Sequence, residues 1–173
     1  MSLVLPQPLI GADPEIFIYN NNLNHCVSMH EHFTGSKFNP EVTPYGGLQV
    51  DGFALEFNIK PARGLFDFMQ GINAGLKDIK ERVYKIDKNL FPIFESFVEF
   101  PKAYYDTIPE HVKELGCDPD YNAEAKGRIN KRPEGSAKLF RTAGGHLHIG
   151  WLTETGYMID PTEQAHMDDL LRS

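Results

Sequence analysis

Leu65, Phe68, Ile72, Leu76, Ile79, Val83 and Ile86 recur at three- and four-residue spacing, with Lys77, Asp78, Lys80, Glu81 and Arg82 on the remaining faces. That period predicts a helix over residues 64–87 with one apolar stripe. A stripe of this length is a core face packed on a sheet, not a cofactor box. Gly71 and Gly75 lie between the apolar positions, although a glycine lowers helix stability by about 1 kcal/mol relative to alanine. Close approach of the helix to the sheet explains their presence.

The strands that such a helix needs are legible on both sides of it. Gly11-Ala12-Asp13-Pro14-Glu15 leads into Ile16-Phe17-Ile18-Tyr19, a strand ending at the Asn20-Asn21-Asn22 turn. His25 to Met29 is the expected return strand of a hairpin around Asn20 to Asn24. Leu48 to Ile59 reads as one strand in which Phe53, Leu55, Phe57 and Ile59 share a face and Glu56 and Asn58 take the other. Asp51 has the wrong parity to join Glu56 unless Gly52 makes a bulge. Phe94 to Phe100 is a further strand, ended by Pro101, and Tyr104 to Leu115 is a short helix or two turns broken at Pro109. Along KLFRTAGGHLHIGW, residues 138–151, Leu147 and Ile149 alternate with His146 and His148. This pattern predicts a strand that sends the aliphatics into the core and both imidazoles out of the other face. Asp160-Pro161-Thr162-Glu163 opens a last helix.

The 173 residues suit one domain with a substantial core. Acidic residues outnumber basic ones by 24 to 17, a formal charge of -7, and no Lys/Arg cluster marks a nucleic-acid face. Cys26 and Cys117 are too few for a disulfide framework or a thiolate zinc site, which fits a reducing interior. MSLVLPQPLI lacks the charged start of a signal peptide, and no apolar run approaches the roughly 18–20 residues of a membrane helix. A soluble, cytoplasmic protein is expected.

Three strands therefore each carry ligand-type side chains on one face: Asp13 and Glu15, Glu56 with Asn58, and His146 with His148. Carboxylates dominate, which favours a hard divalent ion such as Mg2+ or Mn2+, while the imidazoles leave Zn2+ open. Each segment also has a plain alternative: an Asp-Pro turn, an edge strand, a half-buried surface histidine. His30-Glu31-His32 reads as a solvated connection. Arg128, Lys131 and Arg132 form the one basic loop, either a solvated run or a cradle for phosphate oxygens. No Gly-x-Ser-x-Gly, Walker A loop or Gly-x-Gly-x-x-Gly occurs, and Cys117 has no local base.

In order along the chain, GADPEIFI, VDGFALEFNIKPA, GCDPDYNA and RTAGGHLHIGW resemble the phage and bacterial carboxylate-amine ligases (type 2) of the glutamine synthetase-like superfamily. The segments run from Gly11 to Trp151, and the ordered set is more specific than any one of them. The resemblance implies an α+β fold, an antiparallel β-sheet with helices packed on one face, as one glutamine synthetase-like catalytic domain over residues 1–173. It implies ATP-dependent joining of a small-molecule or peptide carboxylate to an amine through an acyl phosphate, with ATP and Mg2+ or Mn2+ as cofactors. For a phage-encoded chain, the compartment would be the host cytoplasm.

Position by position, Glu15 resembles the metal ligand of the family's first strand, with Asp13 two residues before it, and Glu56 resembles that of the second. Asp51 stands where glutamine synthetases carry a glutamate. The Gly-x-His-x-His signature makes His146 a metal ligand and sets His148 towards nucleotide phosphate. Lys131 and Asn58 fall on the nucleotide side, and Arg141, Arg128 and Arg132 would neutralise the phosphates or the acyl phosphate.

Family enzymes carry further acidic and arginine residues well after the histidine motif, whereas only 23 residues follow Gly150 here (173 − 150). The chain is accordingly expected to lack its C-terminal portion, to be completed by another chain or a homo-oligomer, or to keep a binding role alone. Two other classes remain open. One is a Zn2+ hydrolase in which His146, His148 and a carboxylate activate water. The other is a phage-associated binding or structural domain whose His-x-His merely packs.

Overall fold

The computed structural model describes residues 8–114, 121–122, 128–129 and 138–151. Its strands are β1 (Pro8–Ala12), β2 (Glu15–Asn20), β3 (His25–Val27), β4 (Glu41–Val42), β5 (Gly46–Asp51) and β6 (Ala54–Ile59). They are followed by the long helix α1 (Leu65–Ile86), β7 (Leu90–Ile93), β8 (Phe97–Glu99) and the one-turn helices α2 (Lys102–Tyr105) and α3 (Glu110–Lys113). Short strands β9 (Tyr121–Asn122), β10 (Arg128–Ile129), β11 (Phe140–Thr142) and β12 (Leu147–Trp151) complete the order. The class is α+β with antiparallel sheets. The main sheet runs β3-β2-β6-β5-β4, with β7 also pairing β2. β1 and β12 form a two-stranded arm, and Ile10 bridges Ala62 to tie that arm to the chain just after β6.

Alternation along β2 divides the interior. Ile16 and Ile18 join Leu48, Leu55, Phe57, Ile79 and Val83 in a cluster roofed by α1. Phe17 faces the opposite way, into a second cluster with Phe53, Val98, Phe100, Tyr105 and Val112, so α2 and α3 contribute to the other face. The helix expected over 64–87 is α1, and its glycines are there for space. A Cβ on Gly75 would lie 2.3 Å from ring atoms of Phe57, and one on Gly71 3.1 Å from Cβ of Ile59. The hairpin expected around Asn20 to Asn24 is β2–β3, with Asn24 in the left-handed region at φ 57.

Elsewhere the structure corrects the sequence reading. Leu48 to Ile59 is not one strand: β5 and β6 are the arms of a hairpin whose turn is Gly52-Phe53, and Gly52 sits at φ 59, a conformation that side chains disfavour. The strand expected over 94–100 is present in shorter form as β8, which pairs β11, and β7 before it, which pairs β2, is a strand the sequence reading did not include. Leu147 and Ile149 are 69% and 47% exposed rather than in the core. Among the described residues β12 pairs with β1 alone, which leaves Leu147 mostly exposed and Ile149 about half exposed. The helix expected after Asp160 lies outside the described residues. Among the described residues, no helix is long and apolar enough to cross a membrane.

Candidate metal centre

Register assembles the acidic side chains. Glu15 of β2 lies directly opposite Glu56 of β6, and Glu56 lies opposite Gln49 of β5 on its other side. Directly opposed residues share a face of the sheet, so Glu15, Glu56 and Gln49 form one row across three strands. Asp51 is two residues beyond Gln49 and returns to that face. Its parity mismatch with Glu56 disappears because the hairpin pairs Asp51 with Ala54, two residues before Glu56. No bulge is needed. Carboxylate oxygens of Glu15, Asp51 and Glu56 all lie within 4.8 Å of one another.

The electrostatics of the row follow from its place at the edge of the core. Burial pushes the Glu56 carboxyl up to about 7, the Gln49 amide opposes the shift, and the charges of Asp51, Asp13 and Glu15 add to it. Gln49, itself buried, donates from Nε2 to Oε2 of Glu56 at 2.8 Å. Glu15 is raised by burial, opposed by the Gly144 amide, and raised further by the Asp51 charge. Asp51 is raised by burial, with Lys37 acting the other way. Like charges in a half-dry site disfavour one another's ionisation.

The arm brings in the histidines. Gly144 N–H donates to Oε2 of Glu15 at 2.8 Å, and the Glu15 N–H donates to the Gly144 carbonyl at 2.9 Å. His146 N–H donates to Oδ1 of Asp13 at 2.6 Å, and Nδ1 of the same histidine lies 3.3 Å from that oxygen. Nε2 of His148 is 3.1 Å from Oδ2 of Asp13. Gly145 passes so close to Pro14 that a Cβ would come within 2.9 Å of Pro14 Cα. Gly145 thus admits the link between β1 and β2, whereas a Cβ on Gly144 would meet open space.

Asp13, Glu15, Asp51, Glu56, His146 and His148 therefore occupy one neighbourhood. Among the described residues, the set close enough to share a single ion is Glu15, Asp51 and Glu56, and Asp13 and His146 are near enough to act electrostatically on Glu15. Asn58 is two residues beyond Glu56 and packs its amide against Gly46 and Gly47. Arg141 is elsewhere. It is 5% exposed, and its guanidinium donates to the carbonyls of Phe140 at 2.6 Å, Lys113 at 2.6 Å and Lys138 at 2.8 Å and to the Tyr105 hydroxyl. These contacts fasten β11 to α2 and α3. Arg128 is exposed on β10, and Lys131 and Arg132 lie outside the described residues.

His30-Glu31-His32 lines a cleft of about 550 Å³ beside Asn20, the end of β2 away from Glu15. The sequence reading passed over Gln49, whose signal was its alternation with Asp51. The chain matches no family model, no curated protein and no solved structure.

Proposed function

We propose that this chain is an ATP-dependent carboxylate-amine ligase whose divalent cation, Mg2+ or Mn2+, is held by Glu15, Asp51 and Glu56. The observation behind this reading is the convergence of three half-buried carboxylates from three strands. The donor set fits the ion: all ligands are hard oxygens, and their ionisation, disfavoured by burial and mutual repulsion, becomes favourable beside a dication. Bound metal and nucleotide would supply charge neutralisation and the phosphoryl group that activates a carboxylate towards an amine.

The chain's own residues supply the positioning. Gln49 steers Glu56, the Gly144 N–H orients Glu15, and the strands keep the carboxylates in register. The glutamine synthetase-like form of the α+β fold belongs to the same proposal, as do a small-molecule or peptide carboxylate substrate and exposed Arg128 as a phosphate-facing cation.

The test is a nucleotide-coupled assay on the full chain with a panel of carboxylates and amines. ADP release that requires both Mg2+ and an amine, and is abolished in Glu56→Ala, supports the ligase. Zn2+ retention with nucleotide-independent amide hydrolysis assigns the hydrolase in its place. A protein that binds no metal at all carries neither chemistry.

A further inference from the structure

We infer that the cleft at the far end of β2 is a second binding site, for a small organic cation: an ammonium head carried on an apolar body. The His30-Glu31-His32 segment forms one side of it and the end of α1 another. At about 550 Å³ it has the size of a small-molecule site. Asn20, which also borders it, stands five residues along β2 from Glu15, roughly 17 Å at about 3.3 Å per residue. The cleft is therefore separate from the carboxylates of Glu15, Asp51 and Glu56, and the inference goes beyond the ligase reading. Its interior is apolar: Val27, Met29, Leu90 and Ile108 line it, each 7% exposed or less. The polar groups beneath are already engaged. Ser28 N–H donates to the Tyr104 hydroxyl at 2.7 Å, the Ser28 hydroxyl to the Gly52 carbonyl at 3.1 Å, and the Thr107 hydroxyl to the Tyr104 carbonyl at 2.7 Å. A hydroxyl that donates to a carbonyl is not set up as a nucleophile, although Nδ1 of His30 is 3.2 Å away, so the cleft is built to bind and not to react.

The sign of the ligand follows from the rim. Glu31 and Asp87 line the cleft, and among the described residues no Lys or Arg does; Lys85 and Lys88 flank Asp87 in sequence without lining it. Asp87 caps the C-terminal end of α1, where the last carbonyls of a 22-residue helix carry partial negative charge. The backbone and side-chain amides of Asn89 both donate to Oδ1 of Asp87, at 2.9 and 2.8 Å, so among the described residues Oδ2 is left for a ligand. An anion would meet like charge here with no lysine or arginine to offset it. A metal ion fits no better: among the described residues, three ligand atoms converge within 4.8 Å at Glu15, Asp51 and Glu56, and not at His30, Glu31 and His32. The chemistry that satisfies both the apolar interior and the acidic rim is an alkyl- or arylammonium.

The test is 1H–15N correlation NMR of the assigned, 15N-labelled full chain at about pH 8, where ordinary imidazoles are neutral and an alkylamine is protonated. Three probes share one body and differ in the head: hexylamine, 1-hexanol and hexanoate. Hexylamine should give saturable shifts at the amides of residues 27–32, 86–90 and 104–108, hexanol should bind about fivefold more weakly or worse, and hexanoate should not saturate. Glu31→Gln and Asp87→Asn should each weaken hexylamine about two- to fivefold, the scale of a part-exposed ion pair. Ile86→Lys, which sets a cation at a rim position already 40% exposed, should abolish saturation. Glu56→Gln should leave hexylamine binding unchanged, so failure of the ligase reading leaves the cleft standing. No saturation by hexylamine, hexanol or hexanoate binding as tightly as hexylamine, or hexylamine shifts centred on Glu15, Asp51 and Glu56 would each overturn the inference. Mn2+ that broadens residues 28–32 before Glu15 and Glu56 would make the cleft a metal site and overturn it as well.

Discussion

Glu56 concentrates the chemistry of the site in one side chain. Burial and three neighbouring carboxylates hold its carboxyl at about 7 in the fold, against an ordinary value of 4.5. A raised acid binds its proton more tightly folded than unfolded, so its contribution to stability is fully present below about 4.5 and is lost as pH rises through about 7. Glu15 and Asp51 shift in the same direction. The metal-free melting temperature should therefore fall between pH 5 and 8, and Glu56→Gln should flatten that fall. The gain at pH 8 is expected to be a few degrees, at about 2–4 °C per kcal/mol for a chain of this size. Added Mn2+ should stabilise the wild type more at pH 8 than at pH 5, because ligands must be ionised to bind it. Scanning calorimetry across pH, with and without Mn2+, checks both signs.

Arg141 is the residue-scale contrast. Its guanidinium satisfies carbonyls on Lys113, Lys138 and Phe140, the bond to Lys113 being buried, and lies 5.1 Å from the ring centroids of Phe53 and Tyr105. Arg141→Ala should cost about 2–4 kcal/mol in urea unfolding, since it strands the buried Lys113 carbonyl and removes the packing against Phe53 and Tyr105. Arg141→Lys should recover little, because one ammonium does not span a planar fork's partners. Wild-type stability in either variant would contradict the packing role.

At the scale of elements, the decisive contact is α1 on β6. Gly75→Ala gains about 1 kcal/mol of helix propensity but puts a Cβ 2.3 Å from the buried Phe57 ring, so a net loss of about 1–3 kcal/mol is expected. Gly71→Ala meets Ile59 at 3.1 Å and should lose much less. Chemical denaturation of the two variants side by side checks the order. This much was readable from the chain, because a helical stripe interrupted by glycines is a local pattern with one physical reading. The β5–β6 hairpin was not. A glycine after Asp51 serves a bulge and a two-residue turn alike, and only the cross-strand partner of Asp51 decides between them. The exposure of Leu147 and Ile149 was hidden for a related reason: alternation tells which residues share a face, not whether anything covers it.

At the scale of the whole molecule, the acidic centre sits where two independent pieces of architecture meet. The main sheet supplies Glu15, Glu56 and Asp51 in register, and the β1–β12 arm delivers the histidines by hydrogen bonds to Asp13 and Glu15. The sequence announced the ligand types and the strands carrying them. It did not announce that Asp13 would be taken up by the histidine strand while Asp51 joined the glutamates, because that division depends on register between segments more than a hundred residues apart. The most direct measurement is Mn2+ titration of the wild-type chain and of Glu15→Gln, Asp51→Asn and Glu56→Gln, each shown by calorimetry to unfold cooperatively. The account predicts one site in the wild type, weakened more than about 100-fold in every variant. A wild type without affinity, or variants that bind as the wild type does, would contradict it.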